Sequence, residues 1–98
     1  MITEHAVLDV KPGQSVAFEA AMEQAVPLIS ASDGFLGIEV LPCMERPGRY
    51  LLLVKWTDVD AHEVGFRESE RYTQWKELLH DFYHPFPVVQ HYRESIVA

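Results

Sequence analysis

Basic residues are scarce in this 98-residue chain: 8 Lys and Arg stand against 15 Asp and Glu, for a formal net charge of −7, and they are scattered rather than clustered. Nothing in that distribution tracks a phosphate backbone, so nucleic acid is excluded as a partner. Long apolar runs are missing too. No stretch approaches the roughly 18 residues of a membrane span, and the opening MITEHAVLDV lacks the basic start and apolar centre of a signal peptide. With Cys43 as the one cysteine, no internal disulfide can form, and the cytoplasm is the expected compartment.

What remains suits folding. Apolar residues make up 48% and charged residues 23% of the chain, the balance of a globular domain. The length predicts one domain over 1–98, and a chain this short buries only about 60 to 70% of its unfolded surface. A partner subunit is therefore expected to complete the core.

Residues 2–10 alternate, with Ala6, Leu8 and Val10 on one side and His5, Val7 and Asp9 on the other, which predicts a strand. Pro12-Gly13 ends it. From Gln14 to about Ile29, the set Phe18, Met22, Ala25, Val26 and Ile29 has the spacing of a helix with one buried face. Pro27 is expected to kink or shorten its last turn. Residues 34–43 form a second strand, and Arg46-Pro47-Gly48 closes a hairpin onto a third, RYLLLVKW. The run Leu51-Leu52-Leu53-Val54 has no polar side, so both faces of that strand should be covered, one by helices and the other by a second copy of the sheet.

Thr57 reads as the N-cap of a second helical region, with Asp60 three residues on in a weak capping box. Its spacing runs through His62, Phe66 and Ser69. A further segment, capped at Ser69, carries Tyr72, Trp75, Leu78, Leu79 and Phe82 until Pro85 and Pro87 stop it. Residues 88–97 form the last strand. The order strand, helix, strand, strand, helix, strand is the ferredoxin-like α+β plan, a four-stranded antiparallel sheet with both helices on one face.

The densest chemistry lies in HDFYHPFPVVQHY, residues 80–92. His80 and His84 are four apart and His91 could add a third imidazole, but Pro85 frays the helix at that point and no Glu accompanies the pair, so no metal is expected. Near a helix end, His80 and His84 have an ordinary reading as complements to the dipole, worth roughly 0.3 to 1 kcal/mol. His91 and Tyr92 must face opposite sides of the last strand. Tyr72 and Trp75, extended by Phe66 and Phe82, form an aromatic stripe that serves as core or as the wall of a pocket for a flat ligand. His62 shares a helical face with Phe66 and is either a half-buried helix histidine or part of that site.

The stretches GFLGIEV, the strand ending KW, DVDAH, GFRES and W-KELL together resemble the antibiotic biosynthesis monooxygenase superfamily of dimeric α/β barrels, and the likeness spans nearly the whole chain. The resemblance implies a homodimer whose two sheets form a barrel, with the last strand reaching into the partner. It also implies one of several activities: cofactor-independent oxygenation of polyketides or quinols, haem degradation, or isomerisation of a sugar phosphate. Haem degradation calls for an Asn on the first strand with a Trp and a His on the second helix. This chain has no Asn at all, and Phe66 and Lys76 fall where the Trp and the His would be.

The resulting expectation is a cofactor-independent monooxygenase acting on a small aromatic substrate, with no cofactor and no metal. His62 is the first choice for the base, His84 the second, and Tyr72 the hydrogen-bond donor to the developing anion. Phe66 and Trp75 are expected as pocket walls, with Arg67, His80 and His91 as further substrate contacts. A non-enzymatic dimer that binds a small apolar ligand is the rival reading.

Overall fold

The computed structural model describes residues 1–98. Alternation over the first residues produces β1 (Ile2–Asp9), in which Glu4, Ala6 and Leu8 are buried and the residues between them less so. Helix α1 (Ser15–Ser30) buries the predicted face of Phe18, Met22, Ala25 and Ile29. Then come β2 (Phe35–Pro42), β3 (Arg49–Trp56), a single π-helical turn (Ala61–Phe66), α2 (Glu70–Leu79), a 3-10 turn (His80–Phe82) and β4 (Gln90–Tyr92). The sheet order is β2-β3-β1-β4 with every pair antiparallel. This is the ferredoxin-like α+β arrangement. No helix is long and apolar enough to cross a membrane.

The core lies between one face of the sheet and the helices. Tyr50, Leu52, Val54 and Trp56 of β3 and Ala6 and Leu8 of β1 meet Phe18, Ala25 and Ile29 of α1 and Trp75 and Leu79 of α2. Arg71 ties the helices together, donating from Nη1 to the carbonyl of Leu28 at 2.8 Å and to the Ser32 hydroxyl at 2.6 Å. The opposite face carries Val7, Leu51, Leu53 and Leu41 without cover from this chain's helices.

Four local expectations are corrected. Pro27 does not shorten helix α1, which runs on to Ser30. The region after β3 is not an α-helix capped by Thr57. Asp58 Oδ1 accepts the Ala61 N–H at 2.8 Å, and the Arg67 N–H reaches back five residues to the His62 carbonyl at 3.0 Å, a π-type bond. Ser69 does sit at the N-cap of α2, but its hydroxyl donates to the Phe66 carbonyl at 2.6 Å instead of capping the helix. The last strand is three residues long rather than ten, because β4 pairs only with Thr3, Glu4 and His5 and the chain has no further strand beside residues 93–98.

One glycine fixes where the π turn lands. Gly34 has φ of +85°, and a Cβ there would sit 2.5 Å from Thr57 Oγ1 and 2.7 Å from Ala61 Cβ. Only a residue without a side chain lets the start of β2 press against the start of the turn that carries His62.

Candidate active site

The helix-facing row of β1 contains a carboxylate. Glu4 follows the same parity as Ala6 and Leu8, and it is only 5% exposed. Its Oε1 accepts the Trp56 indole N–H at 3.0 Å and lies 3.4 Å from His62 Nε2. Burial raises the Glu4 pKa, because a carboxylate is poorly solvated there; the Trp56 hydrogen bond and the nearby Arg67 charge oppose that rise without cancelling it.

His62 is 3% exposed and stacks on the Trp56 ring, with centroids 5.4 Å apart and planes at 24°. Burial, reinforced by the Arg67 and His91 charges, pushes its pKa down to about 3. Its contact with Glu4 is therefore not an ion pair of the usual kind, since burial drives both partners toward their neutral forms. The other ring nitrogen, Nδ1, lies 2.8 Å from His91 Nε2. The pairing register sets Glu4 opposite His91 on β4 and so places both on the helix side of the sheet, while Tyr92 turns to the other side and packs edge-on against His5. His91 Nδ1 is in turn 3.9 Å from Glu63 Oε1, whose side chain is half exposed.

Beside Glu4 and His62 opens a small cavity. Phe66, Tyr72 and Trp75 wall it on the helical side, Tyr83, Phe86 and Pro87 close its rim, and Arg67 enters among them. Arg67 Nε is buried there without a hydrogen-bond partner. Such an orphaned donor costs on the order of 1–3 kcal/mol, more for a charged group, unless a ligand or water satisfies it. His80 also borders the space, and burial followed by the Lys76 charge holds its pKa below the ordinary value. The space left for the centres of water-sized molecules is about 30 Å³, room for a water or two and not for an aromatic ring. Phe86, 59% exposed and packed on His80 with centroids 5.0 Å apart, lies in the irregular stretch before β4.

The fold thus brings together His62, Phe66, Arg67, Tyr72, Trp75 and His80 around one cavity. It does not bring His84 there: that residue is exposed, and its backbone N–H bonds to the Asp9 carbonyl at 3.0 Å. His91 is not a wall of the cavity either but stands behind His62. Glu4 was not among the expected residues. Its signal was a carboxylate in the strand row otherwise occupied by Ala6, Leu8 and Val10. No group of three or more His, Cys, Asp and Glu side chains is arranged to hold a metal ion.

The family model for antibiotic biosynthesis monooxygenases matches residues 1–78. The chain belongs to that family. Among other members of the structural group, an antibiotic biosynthesis monooxygenase candidate from Bordetella bronchiseptica superposes with a TM-score of 0.92 at 36% identity, over 97% of both chains. The uncharacterized protein YczJ of Bacillus subtilis (strain 168) is 45% identical over 94 residues, which cover 96% of this chain and 99% of that protein. SnoaB of Streptomyces nogalater, a cofactor-independent oxygenase, shares the fold with a TM-score of 0.78 at 17% identity, over 99% of this chain and 97% of its own.

For this monooxygenase-family protein, the buried imidazole makes stability depend on pH. Below the ordinary value of 6.5 the unfolded chain takes up a proton on His62 that the folded chain refuses down to about 3, so stability is lost as pH falls through that window. Urea titrations should show roughly 2 to 3 kcal/mol less stability from this residue at pH 4.5 than at pH 7. His62→Leu should flatten that acid-side loss; an equal loss in both proteins would place His62 near its ordinary pKa.

Proposed function

We propose that the protein is a cofactor-independent monooxygenase that oxidises a small electron-rich aromatic, a quinol or a hydroxylated polyketide-like compound, with O2. The observation that carries this reading is a buried carboxyl with a raised pKa and an unpartnered Arg67 N–H in one aromatic-walled cavity. A proton acceptor and an anion stabiliser are the two groups that such a reaction asks of a protein. Family membership and the shared fold with SnoaB support the same reaction class.

Glu4 is a better proton acceptor here than His62. Both Trp56 and His62 contact Oε1, which leaves Oε2 for the substrate, and a raised carboxyl pKa lies closer to neutrality than an imidazole held near 3. Glu4 takes a proton from the activated C–H or O–H of the substrate, and Arg67 Nε–H holds the resulting oxyanion. The anion passes one electron to O2, and the substrate radical and superoxide combine to a peroxide anion, which takes up a proton. Loss of the remaining hydrogen on that carbon with hydroxide leaves a carbonyl and one water, so a CH2 and O2 become C=O and H2O. Phe66, Tyr72 and Trp75 hold the ring plane and keep bulk water away from the radical pair.

Oxygen uptake by chelator-treated protein with a panel of quinols and anthrones, against autoxidation blanks, tests this reading. Uptake above blank that Glu4→Gln lowers by roughly 100-fold or more is the expected result. Tight binding of panel members with no uptake would favour the rival reading, a ligand-binding protein of the same fold.

We also propose that the uncovered sheet face, with Val7, Leu51 and Leu53 at its centre, packs on a second copy of the chain. Light scattering should return twice the chain mass for the wild type and the chain mass for Leu53→Asp; a monomeric wild type would rule the homodimer out.

A further inference from the structure

We infer that Glu4 exchanges its proton with solvent through His62 and His91, which form a relay from the closed cavity to the edge of the sheet. The inference rests on the reading of Glu4 as the proton acceptor of the site and adds the route by which that acceptor is emptied and refilled.

One hydrogen bond and two longer contacts run in series from the cavity to the sheet edge. Glu4 Oε1 lies 3.4 Å from His62 Nε2, His62 Nδ1 lies 2.8 Å from His91 Nε2, and His91 Nδ1 lies 3.9 Å from the half-exposed Glu63 carboxylate, a gap that one side-chain rotation or one water spans. Each imidazole offers its two nitrogens to two different neighbours, the arrangement that lets a ring accept a proton on one side while releasing one from the other. The balance is simple. A half-turn of the Glu4 carboxyl brings the oxygen that took up the proton from the cavity side to the His62 side; that proton goes to His62 Nε2, the His62 Nδ1 proton goes to His91 Nε2, and Glu4 is left as a carboxylate while His91 becomes an imidazolium beside Glu63. Reversing the two hops reprotonates Glu4.

No other neighbour of Glu4 can do this. Trp56 Nε1 is a donor without a lone pair to offer, and the Arg67 guanidinium stays protonated. The cavity has room for a water or two beside Glu4, whereas the two imidazoles lead from it to the edge of the sheet. The remaining ionisable groups that face the relay are placed to bias it rather than carry it. Arg67 from the segment before α2, and Tyr72 and His80 from α2 and its end, border the cavity. The Met1 ammonium, Arg93 and Glu94 flank His91 at the sheet edge. Arg67 favours the ionised form of Glu4 and disfavours a cation on His62, so a proton is not held midway. His62 is in this sense a transfer station and His91 the port.

The relay is tested without substrate. Stopped-flow pH jumps on the intact protein, followed by tryptophan fluorescence, report Glu4 ionisation because Trp56 donates to that carboxyl; the phase absent from Glu4→Gln is the Glu4 phase. His91→Ala, a change at the half-buried edge of the sheet, should slow that phase at least tenfold, and added imidazole should restore it. An unchanged rate in His91→Ala, a slowed rate that imidazole does not restore, or the lack of any Glu4-dependent phase would overturn the relay. The outcome is independent of the oxygen-uptake assay: a protein that oxidises no panel member can still show the relay, and an active one with an unchanged rate refutes the relay alone.

Discussion

Burial of one carboxyl organises this molecule's candidate chemistry. Glu4 occupies a position in β1 where its strand neighbours are Ala6 and Leu8, and no full counter-ion bond meets it: Trp56 gives one neutral hydrogen bond and Arg67 acts only at a distance. A charge so placed is costly, so burial raises the pKa of the carboxyl and makes its ionised form a stronger base. The same lack of solvation keeps His62 neutral, and the Arg67 Nε–H that could have paired with the carboxylate is left without a partner. A carboxyl with a raised pKa, a neutral imidazole and an Arg67 N–H without a partner share one largely apolar space.

The frame around this cluster is built from regular elements and its rim is not. Antiparallel register fixes Glu4 between Val54 on β3 and His91 on β4, so three strands determine how the carboxyl and the outer imidazole stand to one another. Gly34 presses the start of β2 into the beginning of the π turn, and the wider turn carries His62 and Phe66 inward from a segment of only six residues. Arg71 locks α2, with Tyr72 and Trp75, to the end of α1. The stretch from His84 to Val89, by contrast, has no regular structure and covers the cavity with Phe86 and Pro87.

Much of this was legible in the sequence. Period-2 alternation in β1, the 3.6-residue spacing of α1 and the doubly apolar β3 were enough for the element order, because each of those patterns reports burial on one or two faces. Helical spacing put Phe66, Tyr72 and Trp75 on one stripe and His62 on the face of Phe66, but left open whether the stripe is core or pocket wall and whether His62 is half-buried or in the site. Details that depend on non-local partners were not legible. Whether His91 or Tyr92 looks inward is decided by the register of β4 on β1, and the shortness of β4 by where β1 ends. Helical spacing cannot distinguish an α turn from the π turn at 61–66. The exposure of His84 reflects the chain's departure from the helix after Phe82, four residues from His80 in sequence but no longer on its face. Glu4 carries no apolar signal of its own, because a carboxylate in a half-buried strand ordinarily faces solvent and only its alignment with Ala6 and Leu8 places it inward.

The most direct test of this account is the ionisation of Glu4. A carbon-13 NMR titration of the Glu4 side-chain carboxyl, assigned by its loss in Glu4→Gln, should give a midpoint above the ordinary value of 4.5. A midpoint at or below 4.5 would mean that the carboxyl is solvated or firmly paired, and the cavity would then lack the proton acceptor on which its proposed chemistry depends.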